Sequence, residues 1–155
     1  VIEGTELTPA ETELLAGTGY DDVALVWALI HLGIRTNPPP TPDWQPSDDD
    51  IAAAFGSFEK LSALGLISVG RMEYIDGGPP GRHAPVRHVS EALEDVRARV
   101  QNEVSAAQVA TDWEFACWVV ATEAGLAVAE EASRETRPGR KRSLREMFSR
   151  RSRAW

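Results

Sequence analysis

Leu61-Ser62-Ala63-Leu64-Gly65-Leu66-Ile67-Ser68-Val69-Gly70-Arg71-Met72-Glu73-Tyr74-Ile75 changes its period in the middle. Up to Leu61, apolar residues recur three and four apart as Ile51, Ala54, Phe55, Phe58 and Leu61, the stripe of a helix with one face on a core. Ser47-Asp48-Asp49-Asp50 caps the start of that helix and Gly65 closes it. From Leu66 onward β-branched and large apolar residues take over, and residues 66–75 read as a strand. A helix delivered through a tight turn into a strand is therefore the central unit.

Toward the amino terminus, Thr8-Pro9-Ala10-Glu11 opens a first helix that ends near Gly17. Thr8 suits the cap, Pro9 the first helical position, and Glu11 can reach back. A second helix is predicted over residues 21–32, stopped by Gly33 and carrying Val23, Val26, Trp27, Ile30 and His31 at helical spacing. Asn37-Pro38-Pro39-Pro40-Thr41-Pro42 forbids helix and predicts a stiff extended loop. Toward the carboxyl terminus, Asp76-Gly77-Gly78-Pro79-Pro80-Gly81 ends the strand in a turn or loop. Residues 90–109 then read as a longer helix, with Val89, Leu93, Val96, Val100, Val104 and Ala107 as its stripe. Residues 113–121 read as a second strand, and Thr122 caps a last helix that Arg137-Pro138-Gly139 breaks. The expected class is mainly α with a small β-sheet.

This order resembles the helix-turn-helix core of winged-helix regulators. Those proteins commonly end the recognition helix in a leucine, a small residue and Gly-Leu-Ile, as Leu61 to Ile67 does here. Trp118-Val119-Val120-Ala121-Thr122-Glu123-Ala124-Gly125 looks like their second wing strand running into a helix, where they often carry Leu-Thr-x-x-Gly. The resemblance covers residues 8–75 and 113–132 and implies a winged-helix-like core with an additional long helix. Two departures stand out. Some 37 residues with a whole helix separate the two strands, and a proline-rich connector precedes the third helix.

With 155 residues, the chain has the length of one domain. Its apolar stretches, residues 23–30 and 115–121, fall short of the roughly 20 residues of a membrane-spanning helix. Val1-Ile2-Glu3-Gly4-Thr5-Glu6 has neither a basic leader nor an apolar signal core, so a cytoplasmic location is expected. The single cysteine, Cys117, lies in an apolar run, where burial is expected over reactivity. The net charge of −8 divides unevenly. Residues 1–136 carry 8 basic against 23 acidic residues, or −15, and residues 137–155 carry 8 against 1, or +7. The chain is thus an acidic body with a basic tail.

That charge bears on what the resemblance implies. Opposite the apolar stripe, the third helix offers Asp49, Ala52, Ala53, Gly56, Ser57, Glu59, Lys60 and Ala63. Base edges are read mainly by Arg, Lys, Asn and Gln, and phosphates need positive charge, so this face is a poor reader of DNA. The tail is different. Residues 143–155 wound as a helix place Leu144, Met147, Phe148 and Trp155 on one side as an apolar docking face. Arg140, Lys141, Arg142, Arg145, Arg150, Arg151 and Arg153 supply the cations for a polyanion or an acidic partner. Nucleic-acid phosphates, an anionic membrane surface and an acidic protein groove, including this protein's own body, all fit such a segment. A disordered solubilising tail is the plainer alternative.

Chemistry by motif is absent. His83 and His88 are five apart, His31 stands alone, and neither Cys-x-x-Cys nor His-Glu-x-x-His occurs, so no metal or cofactor is expected. Gly77-Gly78-Pro79-Pro80-Gly81 lacks the spacing and lysine of a phosphate loop, and Asp48-Asp49-Asp50 is explained by capping and the helix dipole. Trp27, Trp113 and Trp118 read as core, whereas Trp44 is either an interface anchor or a cover for the core edge. Leu93, Val96, Val100 and Val104 form a stripe that either packs on the body or pairs with a second copy in a homodimer. The reading reached from sequence is a non-catalytic binding module for a protein partner. The alternative is a DNA-binding transcriptional regulator that uses the arginine-rich tail for phosphate contacts.

Overall fold

A computed structural model describes residues 6–75 and 86–136. The loop around His83 and every tail residue named above, from Arg140 to Trp155, lie outside the described residues. Helix α1 (Pro9–Thr18) begins as its sequence dictates, with the Thr8 hydroxyl accepting from the Glu11 amide at 3.2 Å. That hydroxyl also donates to the Glu11 carboxylate at 3.0 Å, which brings Glu11 inward and leaves it 4% exposed.

The second helix is shorter than residues 21–32. Val23–Ala24 forms strand β1, and α2 covers only Leu25–His31. The reason is tertiary: β1 pairs with a strand from the far end of the chain, Val23 opposite Val119 and Ala24 opposite Trp118. Helix α3 (Asp48–Ala63) starts with a full capping box, Asp50 N–H to the Ser47 hydroxyl at 3.1 Å and Ser47 N–H to the Asp50 carboxylate at 2.9 Å. It ends at Gly65, whose φ of +72° favours glycine, and strand β2 (Ile67–Tyr74) follows at once.

Residues 86–90 depart from expectation. Val86–Ser90 is strand β3, antiparallel to β2 with Met72 opposite His88, and helix α4 spans Leu93–Ala106. The second long strand is also shorter than residues 113–121. Strand β4 is Trp118–Ala121, and the Ala116 amide bonds back to the Trp113 carbonyl in a turn before it. Helix α5 (Glu123–Thr136) follows. The sheet order is β1-β4-β2-β3, every pair antiparallel. Among the described residues the architecture is α+β, with five helices around a four-stranded sheet.

One core holds these elements together. Leu14, Leu29, Phe58, Leu61, Val100 and Val119 are each at most 1% exposed. Phe55 and Phe58 meet edge to face at 5.1 Å. Trp113 is 1% exposed and packs edge-on against Trp44 at 5.8 Å, so Trp44 closes the margin of the core. Cys117 is buried as expected, and burial pushes its thiol up to about 12. Thr122 locks α5 to the turn between α3 and β2. Its hydroxyl donates to the Gly65 carbonyl at 2.6 Å and accepts from the Gly125 amide at 3.1 Å. Gly125 rests on the Leu66 carbonyl so closely that a Cβ there would overlap it.

No helix among the described residues is long and apolar enough to cross a membrane. The stripe offered to a second copy is occupied within the chain. Val96 and Val100 are 0% exposed and Leu93 and Val104 are partly buried against the same core, because α4 lies on α3 and β2. Val96 and Val100 therefore pack on the chain's own body and offer no surface to a copy, whereas Leu93 and Val104 stand half-buried at the margin of the stripe.

Candidate interaction surface

The outward face of α3 is as poor in cations as its sequence. Asp49, Ala52, Ala53, Gly56, Glu59 and Ala63 are exposed, and Ser57 and Lys60 are half-buried. The single lysine of that face is turned aside: its ammonium sits 3.0 Å from the Glu11 carboxylate and 3.0 Å from the Glu6 carbonyl. Glu11, drawn inward by Thr8, is what captures it. Asp49 and Glu59 remain as outward charges, and both repel phosphate.

The arginines of the hairpin are likewise engaged. Arg87 meets Glu73 at 3.0 Å, Glu73 meets Arg71 at 2.6 Å, Arg71 meets Glu91 at 3.3 Å, and Arg99 grips Glu91 through both terminal nitrogens at 2.8 Å. Arg99 also donates through Nε to the Ala116 carbonyl at 2.9 Å, tying α4 to the turn before β4. The alternation of strand faces places Arg71, Glu73, Arg87 and Glu91 on the side where α4 packs. The hydrogen bonds from Arg71 hold Glu73 below the usual carboxylate range, and those from Arg99 do the same for Glu91. Elsewhere Lys60 pairs with Glu11, Arg134 with Glu130 at 2.6 Å, and the Arg35 guanidinium lies 5.8 Å from the Trp44 ring centre.

The opposite face of the sheet carries two features that the sequence did not announce. Ser68 on β2 and His88 on β3, both half-buried, bring Oγ and Nε2 within 3.0 Å. Burial pushes the imidazole below its usual range, opposed by Asp22 and Glu91, so it is neutral near pH 7. Burial and then Asp21 raise the Asp22 carboxyl, opposed by His88. His88 Nδ1 is buried and makes no hydrogen bond among the described residues.

The second feature is aromatic. Phe115 is 59% exposed and lies against Trp118, with ring centres 5.9 Å apart and planes tilted by 31°. Val109, 58% exposed, belongs to the same connection between α4 and β4. Its turn is closed by the Asp112 carboxylate, which accepts from the Gln108 and Val109 amides at 3.0 and 3.1 Å. Glu114 is half-buried directly before Phe115. An exposed Phe115 ring backed by Trp118 thus sits in a carboxylate-rich setting on a structured turn. Trp118 is half-buried, not enclosed in the core as its apolar run suggests.

No group of three or more His, Cys, Asp or Glu side chains that could hold a metal ion occurs among the described residues. Comparison of the chain with protein families, curated proteins and solved structures found no match.

Proposed function

We propose that this chain is a non-catalytic binding module that engages a protein partner through the Phe115–Trp118 surface. The observation that carries the reading is the exposed ring of Phe115, held against half-buried Trp118 on a structured turn of an acidic body. Large rigid rings supply contact area at low entropic cost, and they anchor interfaces once enclosed by a partner. Asp112 and Glu114 beside the rings favour a partner with basic side chains around an apolar one.

A winged-helix-like body is part of the same proposal. The run of α1, β1, α2, α3 and β2, with β4 paired to β2 and leading into α5, supports it. Strand β3 and helix α4 are the addition that sets this body apart. The DNA-binding alternative draws no support from α3, whose exposed face has two carboxylates and a lysine committed to Glu11. The Ser68–His88 pair has the distance of a nucleophile and its base. However, Nδ1 lacks the orienting acceptor that such pairs use, which favours a structural role for the pair.

Affinity capture with the full chain and with Phe115→Asp tests the proposal. Proteins retained at about 150 mM salt by the wild type and lost from the variant are the expected result. An identical retained set from both chains would overturn the assignment of this surface.

A further inference from the structure

We propose that Arg35 and Trp44 form a binding site for a carboxylate ligand, with the indole N–H of Trp113 as an inner donor. This goes beyond partner binding at Phe115 and does not rest on it.

The backbone holds the parts in place. Gly33, with a φ of +74°, ends α2, and the Ile34 and Arg35 amides both donate to the Leu29 carbonyl, at 2.9 and 3.2 Å. Arg35 is thereby pinned to the end of the helix. Trp44 is fixed by a turn in which its amide donates to the Thr41 carbonyl at 3.2 Å. The Arg35 guanidinium lies 5.8 Å from the centre of its ring, and the Trp113 ring lies edge-on to it, also at 5.8 Å.

Both of these neighbours carry a donor without an acceptor. Arg35 Nε and Trp113 Nε1 are buried and make no hydrogen bond among the described residues, and Trp113 is only 1% exposed. Buried indole and guanidinium N–H groups ordinarily find acceptors, because an orphaned donor gives up its water with nothing in exchange. Charge sharpens the contrast. Among the described Lys and Arg side chains, Lys60, Arg99 and Arg35 are half-buried. Lys60 lies on Glu11 and Arg99 on Glu91, whereas Arg35 pairs with no carboxylate among the described residues, in a body of −15.

The open donor sets the class of ligand. Nε and the terminal nitrogen beside it form one edge of the guanidinium fork, whose spacing matches the two oxygens of a carboxylate. A singly charged carboxylate also meets less repulsion from the acidic body than a phosphate of higher charge. Trp44 is half-buried, and its remaining ring surface suits a short apolar stem on the ligand.

Nitrogen-proton correlation spectra of the full chain, titrated at constant ionic strength with butyrate and with inorganic phosphate, test this. The Arg35 Nε–H and Trp113 indole N–H signals should shift together and saturate with butyrate at a Kd of about 1–10 mM, as befits a ligand of so few atoms. Arg35→Gln should abolish the shift of the Trp113 signal. Arg35→Lys, which keeps the charge and loses the fork, should weaken binding at least tenfold. Near-ultraviolet dichroism of both variants should match the wild type. Absence of a saturable shift in the wild type up to about 100 mM butyrate would overturn the proposal and leave water as the acceptor for both donors. A Trp113 shift that persists in Arg35→Gln, or phosphate bound as tightly as butyrate, would overturn it too.

Discussion

Gly125 shows how one atom fixes the placement of an element. A methyl group there would overlap the Leu66 carbonyl, which is backbone and cannot yield without moving the α3–β2 turn. Gly125→Ala should therefore lower stability by about 1–3 kcal/mol, as overpacking does, and a urea titration will read it as a lower midpoint with an unchanged slope. His88 supplies a pH signature. Burial depresses its folded value below the ordinary 6.5, so the unfolded chain takes up that proton first. Stability present at neutral pH should then fall as pH drops through 6.5 toward the folded value, and His88→Gln should flatten that part of the profile. Ser68 bonds this imidazole, and the charges of Asp22 and of Glu91 across the sheet act on it in the sense that favours its proton. Asp22 works in the opposite sense, its folded value being raised, and does so at lower pH where it takes up its proton. Glu73 and Glu91 have depressed values, so their contribution is held above the ordinary carboxylate range and is lost only as pH falls through the folded values.

At the scale of elements, legibility followed how much of the decision was local. Helix α3 was readable because cap, stripe and closing glycine all lie within the segment, from Ser47 to Gly65. Strand β1 was not, since Val23 and Ala24 fit a helical stripe equally well and only pairing with Val119 and Trp118 decides between them. Strand β3 was missed for a related reason: Val89 continues the period of Leu93 and Val96, while its true partner is Arg71 on β2. The Phe115–Trp118 surface was hidden in an apolar run read as strand, because the turn that exposes Phe115 is fixed by Asp112 and by Arg99 from another helix. The caps invite a graded test. Ser47→Ala should cost about 1 kcal/mol, the usual price of a lost N-cap. Thr122→Ala should cost more, about 1–2 kcal/mol, since it removes the bond to the Gly65 carbonyl together with the cap on the Gly125 amide. Chemical denaturation of the two variants side by side will rank them, and equal effects would mean that the Thr122 bond to Gly65 contributes nothing.

Over the whole molecule, charge and packing point the same way. The body's negative charge is outward, and several of its cations are paired with its own carboxylates: Lys60 with Glu11, Arg71 and Arg87 with Glu73, and Arg99 with Glu91. What the acidic surface leaves uncovered is apolar, at Phe115 and at Leu126. The long-helix stripe that sequence offered to a second copy is part of the core, so self-association through Val96 and Val100 is not expected. The most direct test of the account is a fluorescence-anisotropy titration of labelled duplex DNA with the full chain at about 150 mM salt. A Kd weaker than about 100 μM, with no preference among sequences, is the result expected of a body that presents carboxylates and aromatic rings. Tighter binding that discriminates one sequence from another by tenfold or more would contradict it and would return α3 to the role of a recognition helix.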